Sequence, residues 1–244
     1  MNPSLSAVKR TNRVTGRRFG PDARRFALRF PIVFTSSVAP DHLDSIWGEA
    51  AKRLLDICLS LLLLTASSPF IVVIALLISL QADGPVLYIS ERIGRNGRPF
   101  TMYKFRTMVV GADLLKHTLK RRNERSAILF KISNDPRITR IGRVLRKYSL
   151  DEIPQLINVL RGEMSLVGPR PPLASEVEQY HPHQFIRLKV LPGLTGLWQI
   201  KARRNASFLD YINLDSAYVR NWSLWLDIKI LWSTIGVVLA GTGE

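Results

Sequence analysis

Asp151 and Glu152, adjacent in the stretch LRKYSLDEIPQL, are the residues best suited to chemistry. Two neighbouring carboxylates make half a site for Mg²⁺, whose other ligands would be water and substrate phosphate. A carboxylate so placed can also attack phosphorus as a nucleophile. The plainer account is a capping box, Ser149 with Glu152 three residues on. Pro154 argues against it, because its ring would clash with the carbonyl of Leu150 if that residue were already helical. A helix starting near Asp151 puts the proline in the first turn, where its missing N–H costs least. Free N–H groups and the positive end of the helix dipole then face Asp151, which suits a phosphate. Taken alone, an acidic first turn is more often a cap, and both accounts stay open at this level.

Cations that could meet a phosphate lie on several segments. Arg146 precedes Asp151 by five residues. Arg170 stands in GPRP, where Pro169 and Pro171 fix the backbone and lower the entropy of presenting a guanidinium. Lys104 and Arg106 bracket Phe105, and Arg203 and Arg204 follow a Trp-Gln segment. A planar guanidinium matches phosphate oxygens in bidentate fashion, although each of these residues by itself also reads as a solvated charge. Walker and GxGxxG loops are missing from the sequence. The lone Cys58 and the scattered His42, His117, His181 and His183 have no zinc-ligand spacing.

These residues need elements to hold them. Residues 1–47 form a basic extension with Lys9, Arg10, Arg13, Arg17, Arg18, Arg24, Arg25 and Arg29, few acids and no sustained apolar period, which predicts a largely disordered arm. Residues 48–82 follow as a membrane helix, with no charge between Ile57 and Ala82. At ~1.5 Å per residue that run is long enough for a hydrocarbon core of ~30 Å. Pro69 kinks it, and Ser67 and Ser68 can bond the carbonyls that the proline frees. Both flanks are basic, Lys52 and Arg53 before and Arg92, Arg95 and Arg98 after, and basic flanks favour the cytoplasmic side. A helix that enters, breaks at Ser68-Pro69 and returns keeps both flanks on one side, and is preferred here to a true span.

Residues 83–244 make the remaining domain. Residues 86–89 and 100–105 read as a small hairpin about a Gly-rich turn. Helices are expected over 111–131, 138–147, 152–161 and 208–221, with rigid loops at 168–172 and around Pro192-Gly193. The Trp-rich stretch 222–239 suits either the membrane interface or a core helix. The fold class is therefore α+β, mostly helical, with a re-entrant helix-break-helix, a small β-hairpin and interfacial amphipathic helices, as in a monotopic membrane protein.

The formal net charge of +16 calls for a polyanionic partner. An anionic membrane face and a nucleotide diphosphate both qualify. Nucleic acid is not expected, since base-stacking aromatics are sparse among the arginines of the arm.

In order along the chain, KRLLD, the apolar run with Ser68-Pro69, GPV, ERIG, KFRTM, LRKYSLDEIPQL, GEMSLVGPRP, PGLTGLWQ and NWSLWLDIKIL resemble the bacterial sugar transferases. These are monotopic polyprenyl-phosphate phosphoglycosyl transferases that begin exopolysaccharide and glycan assembly. The resemblance runs from about residue 48 to the end. It implies a transferase of the bacterial inner membrane, with its site on the cytoplasmic face. A UDP-sugar, glucose or galactose, would lose UMP as its sugar phosphate passes to a carboxylate and then to undecaprenyl phosphate. Asp151 would be the nucleophile and a Mg²⁺ ligand, and Glu152 its partner. Arg146, Arg170 with Pro169, and Arg203 would contact phosphate or uridine diphosphate. The family tends to have Gly before that last arginine, and this chain has Ala202. A non-catalytic membrane scaffold of a polysaccharide assembly complex is the competing reading, and a homo-oligomer is compatible with either.

Overall fold

The computed structural model describes residues 46–81, 84–119, 132, 134–201 and 207–241. The basic arm, the far part of the 111–131 segment, and Arg203 with Arg204 lie outside the described residues.

The chain enters through one long helix, α1 (Ile46–Gln81), which holds Pro69 inside it. It is the one helix among the described residues long and apolar enough to cross a membrane. Pro69 cannot donate to Thr65, and Ser68 Oγ takes that carbonyl instead at 2.8 Å. Ser67 Oγ donates likewise to Leu63 O at 2.6 Å. A side-chain donor thus replaces what the proline withholds, and the helix continues through it. Burial along α1 is uneven. Asp56 and Ser60 on the first half, and Ile74 and Ile78 on the second, are buried, while Leu61, Leu62, Leu63 and Phe70 near the proline are exposed.

Strands β1 (Leu87–Ile93) and β2 (Pro99–Phe105) pair antiparallel, with Tyr88 opposite Lys104 and Arg92 opposite Phe100. The turn between them is tight because Asn96 and Gly97 both take positive φ, which Asn tolerates and Gly prefers. Helix α2 (Ala112–Thr118) follows, then α3 (Arg140–Lys147), capped by Thr139 Oγ1 accepting from Gly142 N at 2.9 Å. The chain then passes through a 3₁₀ segment, Leu150–Gln155, into the short α4 (Leu156–Leu160). Strands β3 (Ser165–Val167) and β4 (Gly193–Thr195) pair in parallel. Between them lie α5 (Ala174–Val177) and a 3₁₀ segment, Pro182–Lys189, that takes up His183. Helices α6 (Leu197–Lys201), α7 (Phe208–Arg220) and α8 (Leu224–Leu239) complete the domain.

The main core gathers Phe100 and Met102 of β2, Leu156 and Val159 of α4, Leu166 and Val167 of β3, and Tyr218, Trp222 and Ile230 from the C-terminal helices, with Leu55 and Leu59 of α1 packed on it. A separate apolar cluster joins Ile74 and Ile78 of α1 to Phe105 and Leu145. Both halves of the long helix therefore dock on the same domain.

Polar pins fix that docking. Asp227 of α8 is wholly buried, yet it accepts from Lys52 Nζ at 2.5 Å, Tyr218 Oη at 2.8 Å and Trp222 Nε1 at 3.2 Å. A buried carboxylate is tolerable only with such partners. Arg53 donates to the carbonyls of Val159 and Leu160, and Asp56 accepts from Leu166 N and Ser165 Oγ. The expectation for residues 222–239 resolves by side: Trp222, Asp227 and Ile230 face the core, while Trp225, Trp232 and Leu239 are exposed.

Candidate functional site

The carboxylate pair sits where the hairpin, α3 and the 3₁₀ segment meet. Ser149 takes the left-handed conformation with φ 55°, and its side chain makes no cap hydrogen bond. The capping box is therefore not formed. The expected α-helix from Asp151 is corrected too. Residues 150–155 are 3₁₀, and α geometry begins only at Leu156. Pro154 disfavours the α form here, since its ring crowds the carbonyl of Leu150 and it has no N–H for an α-helical bond to that carbonyl. A short 3₁₀ turn carries little aligned dipole, so the phosphate environment must come from side chains.

Asp151 is buried, with 7% of its surface exposed, and Glu152 is half-buried beside it. Lys104 reaches across from β2. Its Nζ donates to Glu152 Oε1 at 2.6 Å and stands 4.0 Å from Asp151 Oδ2. The second distance is too long for a hydrogen bond, so Lys104 acts on Asp151 through its charge. Burial pushes the Asp151 carboxyl above the usual carboxylate range. Lys104 and Arg146 pull it down and Glu152 pushes it up.

Arg146 approaches from the last turn of α3, where Nε donates to Thr107 Oγ1 at 2.8 Å and the charges of Asp151 and Asp135 offset the burial of its guanidinium. Gly142 lets α3 come this close, because a Cβ there would lie 2.1 Å from Thr107 O. Arg106 stands at the exit of β2, its N–H bonded to Val86 O and its Nη1 buried beside Gly84.

Arg170 is held with unusual firmness. Its own N–H donates to Asp215 Oδ2 at 3.3 Å, and its C=O accepts from Arg187 Nη2 at 3.0 Å. Arg187 and Asp215 are themselves a fully buried ion pair, and Arg187 also donates to the hydroxyls of Tyr180 and Tyr211. Burial pushes Asp215 up to about 6 against the pull of Arg187. Both backbone groups of Arg170 are thus gripped by one ion pair, and its guanidinium lies over the Trp198 and Tyr211 rings, at 5.8 and 5.9 Å. Pro169 O accepts from Gly193 N at 2.8 Å, tying the loop to β4. A Cβ on Gly193 would lie 2.1 Å from Gly168 N, so only glycine permits this approach.

The structure therefore gathers Asp151, Glu152, Lys104 and Arg146, with Arg170 near enough to feel the Glu152 charge. Arg187, Asp215, Tyr211 and Trp198 did not stand out in sequence. Their spacing gives no local signal, because they meet only through the fold.

Asp151 and Glu152 offer oxygen donors alone. No group of three or more His, Cys, Asp or Glu gathers to hold a metal among the described residues. The pair suits a hard ion that draws its other ligands from water and phosphate oxygen, as Mg²⁺ does, and not a metal held wholly by protein.

Against known proteins, residues 47–241 match the family described as bacterial sugar transferase. The chain is 48% identical to a galactosyl transferase, CpsE, of Streptococcus agalactiae over 79% of its own length and 43% of that protein's. It is 44% identical to an undecaprenyl-phosphate galactose phosphotransferase of Salmonella typhimurium, over 79% of this chain and 41% of the other. It is 42% identical to the exopolysaccharide production protein ExoY of Rhizobium meliloti, over 81% of this chain and 89% of the other. It thus spans less than half the length of the first two relatives and most of the third.

Proposed function

This chain belongs to the bacterial sugar transferase family, and from that premise we propose that it moves a sugar 1-phosphate from a UDP-hexose to undecaprenyl phosphate and releases UMP. The observation that carries this is the buried carboxylate of Asp151, flanked by Glu152 and within the charge of Lys104 and Arg146, with Arg170 near enough to feel the charge of Glu152.

In the first step an Asp151 carboxylate oxygen attacks the β-phosphorus of the donor. The Oδ–P bond forms, the bond from that phosphorus to the bridging oxygen breaks, and UMP departs with the bridging oxygen. In the second step the phosphate oxygen of the lipid attacks the same phosphorus and expels the Asp151 carboxylate. Lys104 holds Glu152 by a hydrogen bond and favours the ionised form of Asp151. Arg146 and Arg170 offset charge on the phosphate oxygens. Asp151 would hold Mg²⁺, which when bound supplies charge neutralisation on the diphosphate.

The lipid phosphate lies at the bilayer surface, so the site must lie there as well. Both halves of α1 pack on the domain, and apolar side chains stand exposed along it from Leu54 to Leu80, Phe70 beside Pro69 among them. Docking of both halves on one domain favours a helix whose middle dips into one leaflet and returns. The exposed Trp225 and Trp232 suit an interface. We place the site on the cytoplasmic face of the inner membrane, consistent with the basic charge.

The test is Asp151→Asn, assayed by UMP release from UDP-glucose or UDP-galactose with undecaprenyl phosphate and Mg²⁺. Loss of release is expected. Full activity would remove Asp151 as the nucleophile.

A further inference from the structure

Arg92 is a charged residue on the site-facing side of the hairpin to which the proposed chemistry gives no task. Opposite residues of an antiparallel pair share a face, as do residues two apart on one strand. The register sets Tyr88 opposite Lys104 and Arg92 opposite Phe100, so Lys104 and Arg92 lie on one face of the hairpin. Lys104 ends that face at the carboxylate pair.

Arg92 ends it at the GPRPP loop. Its Nη1 donates to Pro171 O at 3.3 Å, and the next residue, Ile93, donates its N–H to Pro172 O at 3.0 Å. Strand β1 and the loop are thereby zipped together, and the Arg92 guanidinium is brought near enough to that of Arg170 to feel its charge. Burial and the Arg170 charge lower the Arg92 pKa to about 10, against the pull of the Glu176 charge. The Arg92 Nε is buried with no hydrogen-bond partner. An unmade bond to a buried charged donor is costly, and two guanidinium groups within reach of each other's charge repel. An oxyanion between them would relieve both.

We propose that Arg92 and Arg170 form a twin-guanidinium cradle for a phosphate group of the substrates. This rests on the transferase reading above. The phosphate could come from the nucleotide end of the donor or from the lipid acceptor. The nucleotide is favoured, because its second phosphate is bonded to the reacting one and Arg170 stands near enough to the carboxylate pair to feel the charge of Glu152.

The test uses the full chain in detergent or nanodiscs, with Arg92→Met and Arg92→Lys compared to wild type. Arg92→Lys keeps a donor for Pro171 O but lacks the fork, and is decisive if the methionine variant does not fold. Michaelis constants are measured separately for the UDP-sugar and for undecaprenyl phosphate, together with UMP binding at equilibrium. Loss of a charge-assisted contact should raise KM for the UDP-sugar and weaken UMP binding about tenfold to a hundredfold. KM for the lipid phosphate should stay unchanged, and the lysine variant should fall between. A rise confined to the lipid phosphate would assign the cradle to the acceptor. Folded Arg92 variants with wild-type KM for both substrates and wild-type UMP affinity would overturn the cradle. That result is distinct from failure of the transferase reading, which would appear as no UMP release by the wild-type chain from any UDP-sugar with undecaprenyl phosphate and Mg²⁺.

Discussion

Replacing Arg187 with methionine should damage stability and the site together, and the two losses should separate in a second variant. Arg187 is fully buried against Asp215, itself fully buried, and it also serves Tyr180, Tyr211 and the carbonyl of Arg170. Removing one partner strands the other as an uncompensated charge, at a cost of about 3–5 kcal/mol. For a domain of this size that lowers the unfolding midpoint by roughly 6–20 °C. Asp215 can escape by taking a proton, so the cost depends on pH. The Asp215 pKa is already raised from 3.8 to about 6 in the folded chain. A raised folded pKa means stability that is present below pH 4 and lost as pH climbs through the folded value. Without Arg187 that value rises further, so the deficit of Arg187→Met should be small near pH 4 and grow through and above pH 6. The double variant Arg187→Met, Asp215→Leu removes both charges. It should recover much of the stability, short of the ~1–3 kcal/mol for each Arg170 backbone group left unpaired. It should not recover activity, because Arg170 has lost both grips on its backbone. Thermal unfolding of detergent-solubilised protein between pH 4.5 and 8, beside UMP release, makes the comparison. A double variant at least as unstable as the single one, or as active as wild type, would refute the reasoning.

Three further outcomes are expected. Lys104→Met removes the charge that lowers the Asp151 pKa, so the acidic limb of the pH–rate profile should move to higher pH; an unmoved limb would count against Asp151 as the ionising group. Asp227→Ala strands Lys52, Tyr218 and Trp222 and should cost several kcal/mol by thermal unfolding, and Asp227→Asn, which keeps an acceptor, clearly less. Cysteines placed at Trp47 and Tyr88, both exposed, in a Cys58→Ser background should be labelled only from the cytoplasmic side, and periplasmic labelling of either would favour a true span.

What could be seen in the sequence follows how local each cause is. The hairpin, the loop at 168–172 and the helix at 208–220 announce themselves through alternation, prolines and period, and the structure places each close to its expected residues. The segment at Asp151 was half legible. Pro154 argues against a capping box, but whether the chain answers with an α or a 3₁₀ turn depends on packing against β2. The Asp227 of the Trp-rich helix gave no sign of its partner, because Lys52 lies at the other end of the chain. Arg92 could have been singled out once the register was known, since the hairpin aligns it with the Lys104 face. Arg187 and Asp215 could not, because a buried ion pair between two helical segments leaves no periodic trace.

The central claim is that the sugar phosphate rests on Asp151 between two displacements. The most direct test mixes a small molar excess of UDP-sugar with enzyme and Mg²⁺, with no lipid phosphate present, and follows UMP and protein mass together. A covalent route predicts a burst of UMP approaching one per enzyme, and a mass increase of one hexose phosphate on the peptide that carries Asp151. Adding undecaprenyl phosphate should discharge that mass. UMP that appears only once the lipid is added, with no adduct on the peptide, would mean direct transfer between the substrates and would contradict the account.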